Sequence, residues 1–120
     1  MKEDEFKLFK FKQLKEVSEY RLRQIWNTRF SDKPFPKVEA IILEDREFLD
    51  SLKRCNRETQ IKEYGEIVPD EMVYGFLSET PKGLFVIVVR RSHFKDDLSL
   101  GEILEHELRH IYLGTLEKLV

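Results

Sequence analysis

The stretch from Leu98 to Gly114 constrains this chain more than any other, because its pattern demands a helix. Ser99 followed three residues later by Glu102 reads as a capping box, and Gly114 suits the left-handed residue that closes a helix. Between them Leu100, Ile103, Leu104, Leu108 and Ile111 recur at helical spacing as one apolar stripe. Projection at ~100° per residue sets Glu107 inside the stripe and His106 and His110 along its edge. Glu102, Glu105, Arg109 and Tyr112 fall on the solvent side.

That helix carries His106-Glu107-Leu108-Arg109-His110. Two histidines four residues apart differ by only ~40° of rotation, so their imidazoles can grip one metal ion. A carboxylate on the buried face is costly unless something there needs it. A water on a zinc ion is such a need: Glu107 can accept its proton and pass it to a leaving group. The competing readings are a surface helix that happens to carry two histidines and a metal-free relic of a zinc site. Zinc is the reading that accounts for the inward acid.

The chain has 120 residues, enough for one domain, 1–120, with one core. Charged residues make up 37% yet nearly cancel, to a net charge of -2. That balance argues against a general nucleic-acid or membrane-surface binder, which needs an excess of basic charge. Cys55 is the only cysteine, so no intrachain disulfide and no thiolate zinc cluster is expected. It reads as a small semi-buried residue, with no reactive microenvironment around it. The acidic Met1-Lys2-Glu3-Asp4-Glu5 lacks the apolar run of a signal peptide, and no segment has the length to span a bilayer. The expected location is cytoplasmic.

In chain order, Phe6 to Lys12 interleaves aromatic and basic residues, either as a stacking surface for nucleic acid or as a short element with its Phe face inward. The second is favoured, since nothing downstream extends the basic surface. Phe11 to Phe30 reads as a helix with Leu14, Val17, Leu22, Ile25 and Trp26 on one side, broken by Ser31-Asp32-Lys33-Pro34-Phe35-Pro36. Val38 to Leu43 reads as a strand and Asp45 to Arg54 as a short helix. Asn56 to Pro69 reads as a loop. Met72 to Leu77 and Gly83 to Arg90 are strand signals joined by turn formers, hence a hairpin, and the run Leu84 to Val89, apolar on both faces, reads as a central strand or one covered by helices. The fold class is α+β: a small, mostly antiparallel sheet with helices packed on one side and the histidine motif on the C-terminal helix.

That layout, ending in the segment from Glu102 to Gly114, resembles the zincin metallopeptidases, most of all their smallest members, the minigluzincin or zincin-like domains. The resemblance is specific over the five motif residues and one of layout over most of the chain. It implies a zincin-like fold, a Zn2+ cofactor and hydrolysis of peptide bonds in a peptide or unfolded protein substrate. It implies His106 and His110 as metal ligands, Glu107 as general base, and a substrate strand added to the sheet edge above the metal, which either hairpin strand can supply. The family draws its third ligand from beyond the motif helix, where Glu117 is the candidate. A frayed, solvated carboxylate is the alternative for Glu117. His93 is a further candidate, more readily a surface or supporting residue, and Asp96 and Asp97 suit a helix N-terminus. An oxyanion partner is expected from among His93, Tyr74 and Tyr112, Tyr112 being the weakest. The alternative function is a non-catalytic or vestigial zincin-like interaction module.

Overall fold

The four β-strands of the computed structural model, which describes residues 13–54 and 73–114, form one mixed sheet. They are β1 (Gln13–Val17), β2 (Val38–Leu43), β3 (Gly75–Glu79) and β4 (Phe85–Arg90), in the order β1-β2-β4-β3. The pairs β1/β2 and β3/β4 are antiparallel, and β2/β4 is parallel. Three helices complete the fold: α1 (Glu19–Arg29), α2 (Asp45–Arg54) and α3 (Asp97–Leu113). The chain is therefore an α+β domain with two antiparallel pairs and one parallel pair. Phe6 to Lys12, Cys55, the Asn56 to Pro69 loop and Glu117 lie outside the described residues.

The helices occupy both faces of the sheet, a correction to the expectation of one side. Alternation along β2 and β4 divides their apolar residues between two cores. Val38, Ala40, Ile42, Ile87 and Val89 face α1 and α3, meeting Leu22, Trp26, Leu100, Ile103, Leu104 and Leu108. Ile41, Leu43, Val86 and Val88 face the other way and meet Phe48 and Leu52 of α2. Because both sets of side chains are apolar, each face needs a cover, and the helix following β2 supplies the second. The four valine and isoleucine residues Val86 to Val89 are fully buried, and β4 is an interior strand, as its sequence predicts.

A second correction concerns the N-terminal segment. The helix expected from Phe11 begins only at Glu19, after β1. Ser18 makes the break: its hydroxyl accepts the Arg21 backbone N–H and its carbonyl accepts that of Leu22, the standard way a serine starts a helix. Residues 13–17 pair instead along β2.

Glycine at position 75 brings α3 down onto the sheet. A Cβ there would lie 3.1 Å from the Val88 carbonyl oxygen and 3.2 Å from Ile103 Cγ2 on α3. With no side chain there, the helix rests against the start of β3 without either neighbour having to give way. Among the described residues β3 is an outer strand of the sheet, and α3 passes beside it.

Candidate metal centre

The helix that presents the motif starts earlier than expected. Its N-cap is Asp96, whose carboxylate accepts the Ser99 backbone N–H at 2.8 Å while Ser99 Oγ accepts the Asp96 N–H at 3.2 Å. The capping box thus runs Asp96–Ser99, replacing the Ser99–Glu102 box read from the sequence. The acidic cap is the better partner for the positive end of the helix, and the extra residues let Leu100 bury at full depth. Gly114 ends the helix in the left-handed region at φ 64°, as expected, and its N–H bonds to the carbonyls of His110 and Ile111.

Apart from Tyr112, the projected faces are those observed. Leu100, Ile103, Leu104 and Leu108 are buried, and Ile111 packs against the same core. Glu107 sits among them at 4% exposure. His106 and His110 are half-buried at the margin of that face. Their rings stand perpendicular, with centroids 4.7 Å apart and the two Nε2 atoms 3.1 Å apart. Tyr74, the residue before β3, sets its ring edge-on to His106 with centroids at 5.9 Å. On the outer face Glu105 joins Arg109 at 3.0 Å and Arg29 of α1 at 3.5 Å.

Two ring nitrogens at 3.1 Å cannot both point lone pairs at each other. A proton or a cation between them relieves the repulsion. Burial depresses the pKa of both rings: it is the leading cause for His106, seconded by the Arg109 charge, and it takes His110 down to about 4, with His106 and Arg109 adding to it. Both imidazoles are therefore neutral at pH 7, the form that binds metals. Two nitrogens each ~2.05 Å from one zinc ion stand ~3.3 Å apart at the tetrahedral angle, close to the observed separation. The spacing of the two nitrogens is thus compatible with shared ligation of one ion.

Of the remaining candidates among the described residues, Tyr74 is the one whose ring meets the pair. His93 lies in the short 3-10 turn Arg91–His93 that precedes α3, with its Nδ1 2.9 Å from Ser92 Oγ. Asp96 is the helix cap and Asp97 approaches Arg21 at 3.5 Å. Tyr112 is not on the solvent side as projected: it stacks on Phe30 and meets Trp26, and its hydroxyl donates to Asp32. Among the described residues no group of three or more His, Cys, Asp or Glu side chains is arranged around one ion position.

Sequence reasoning left unassigned the contact of Tyr74 with His106 and the glycine that follows it. The Tyr74-Gly75 pair at a strand start was the available signal, since a glycine inside a strand pattern marks a close approach of another element. Compared with protein-family models, curated proteins and solved structures, the chain matches none.

Proposed function

We propose that this protein is a zinc-dependent metallopeptidase acting on peptides or unfolded proteins in the cytoplasm. The observation that carries the reading is the pair of neutral imidazole nitrogens 3.1 Å apart, with a buried carboxylate on the residue between them in sequence. His106 and His110 would hold the ion, with Glu117 as the candidate third ligand that the resemblance to zincins implies. Zinc supplies Lewis acidity when bound, acidifying water and polarising a carbonyl.

The chain's own residues then have defined tasks. Glu107 takes a proton from the attacking water and returns it to the departing amine, a role suited to an acid held in a drier setting than bulk water. Because burial keeps both rings neutral, zinc would need no net deprotonation of an imidazolium at neutral pH, only a tautomer change that moves the proton between the two Nε2 atoms to Nδ1. The position of β3 at the outside of the described sheet supports substrate binding as an added strand. Tyr74 would stand beside that strand, at the edge of the His106 ring.

Metal content and hydrolysis of an unfolded protein test the reading together. About one equivalent of zinc is expected, lost in His106→Ala and in His110→Ala. Glu107→Gln should keep the metal and lose hydrolysis by a factor of ~10² or more. Protein that stays metal-free after zinc dialysis removes the basis of the proposal. Zinc uptake with no turnover on any unfolded protein or peptide mixture would favour the non-catalytic interaction module instead.

A further inference from the structure

The last turn of α3 carries His110, and helix ends fray unless something holds them. Here an unusual number of contacts converge two residues beyond that histidine. The Tyr112 hydroxyl lies 3.0 and 2.9 Å from the two carboxylate oxygens of Asp32. The Tyr112 backbone carbonyl, one of those a helix C-terminus leaves without an intrahelical partner, accepts Lys33 Nζ at 2.8 Å. The same ammonium lies 4.6 Å from the centroid of the Tyr112 ring, whose other contacts are a stacked Phe30 at 4.8 Å and an edge of Trp26 at 6.0 Å. The gripping segment is itself fixed, because Trp26 donates its indole N–H to the Lys33 carbonyl at 2.8 Å.

Resting on the metallopeptidase reading above, we infer that Tyr112, Asp32 and Lys33 form a clamp that positions His110 for the metal. Metal ligation tolerates only ~0.2 Å of error in a bond. His106 sits mid-helix and needs no such help, whereas His110 is carried by the turn that the clamp ties to α1. Tyr112 and Asp32 are positioning residues: they act through the helix end and touch neither ion nor substrate.

The test measures cobalt(II) and zinc affinity by competition with a chromophoric chelator, and the visible spectrum of the cobalt form. Tyr112→Phe keeps the ring stack and loses only the bond to Asp32, and Asp32→Ala loses the same bond from the other side. Each should weaken metal binding roughly tenfold, in the range seen when groups supporting a ligand are removed. The double variant should be no weaker than either single one, because one bond is removed in all three. Asp32→Asn, which keeps an acceptor oxygen, should restore most of the affinity. Ile41→Val, in the core on the far face, serves as a control of comparable instability and should bind as the parent does. Amide exchange at Gly114, whose N–H bonds to the His110 carbonyl, should quicken in Tyr112→Phe before any metal is added.

Parent-like affinity in both single variants overturns the clamp, as does equal weakening in Ile41→Val. A parent protein that takes up neither ion overturns the two-histidine site itself and the clamp's role with it, a result distinct from the first two.

Discussion

Acid should loosen the metal-free protein above the range where carboxylates titrate, and His110 should be the main reason. Its ring is pushed from the ordinary value of 6.5 down to about 4, first by burial and then by the His106 and Arg109 charges. The unfolded chain therefore binds more protons than the folded one between those values, so stability rises with pH across the window. It is fully present above 6.5 and is lost as pH falls toward 4. His106 is lowered as well and adds in the same direction. At pH 5 the His110 contribution alone could reach ~2 kcal/mol, and the half-buried ring's contact with solvent reduces this to roughly 1 kcal/mol.

Urea unfolding of chelator-treated protein at pH 7.5 and pH 5.0 measures the difference. With a denaturant slope of roughly 1.5 kcal/mol per molar, the midpoint should fall by ~0.7 M. His110→Gln should flatten most of that dependence, since glutamine does not titrate. The pH 5 limit stays above the range of Asp45, whose carboxylate is held below its usual value chiefly by hydrogen bonds from Arg90 and Ser92. A His110→Gln variant with the parent's full pH slope would refute the reasoning, because the dependence would then arise elsewhere. Saturating zinc at ~100 times its dissociation constant should add ~2.7 kcal/mol at pH 7.5, less at pH 5 as protons compete for the same nitrogens, and a chelator should remove it.

The other predictions concern the frame around the pair. Gly75→Val should cost about 1–3 kcal/mol, since its Cβ would crowd the Val88 carbonyl and Ile103 on α3; thermal melting reads the loss, and Gly75→Ala should fall between the two. Asp96→Ala removes the cap of α3 and should lower stability by ~1 kcal/mol, with Asp96→Ser recovering most of it in the same melts. Asp45→Ala takes away the carboxylate that accepts Arg90 Nε at 3.1 Å and Ser92 Oγ at 2.6 Å. A loss of about 1–2 kcal/mol in urea midpoint is expected there, with no change in metal affinity.

Local signals carried the parts of the fold that the sequence made legible. The bounds of β2 and α2 follow from a β-branched run and from the turn that separates it from Phe48 and Leu52. The buried face of α3, including Glu107, follows from spacing alone. What failed was whatever depends on a distant partner. Residues 13–17 satisfy a helical pattern as readily as a strand, and pairing with β2 decides between them. The parallel partnership of β2 and β4 and the second core under α2 are likewise set by which apolar faces meet, information no single segment holds. Tyr112 projects outward on a bare helix; only the returning segment at Asp32 and Lys33 makes it an inward residue.

The histidine pair was legible because both of its members sit on one helix, and for the same reason its physical oddity can be weighed. A core helix made only for packing would place an apolar side chain at 107 and would have no cause to bring two imidazole nitrogens to 3.1 Å at its margin. Burying an acid and disfavouring the charged form of two histidines each cost stability, and they do so within one turn and a residue of the same helix. Any one of these would pass as an accident of composition. Their coincidence on the face beside a sheet edge argues for a shared purpose, and under the proposed reading a cation at the two nitrogens would offset part of these costs. It gives the rings a partner their neutral form suits, and it favours a negative carboxylate nearby. If Glu107→Met made the metal-free protein more stable and left zinc affinity and pH dependence unchanged, the acid would be shown to serve neither the fold nor the ion, and the proposed role as general base would be the reading left for a hydrolysis assay to decide.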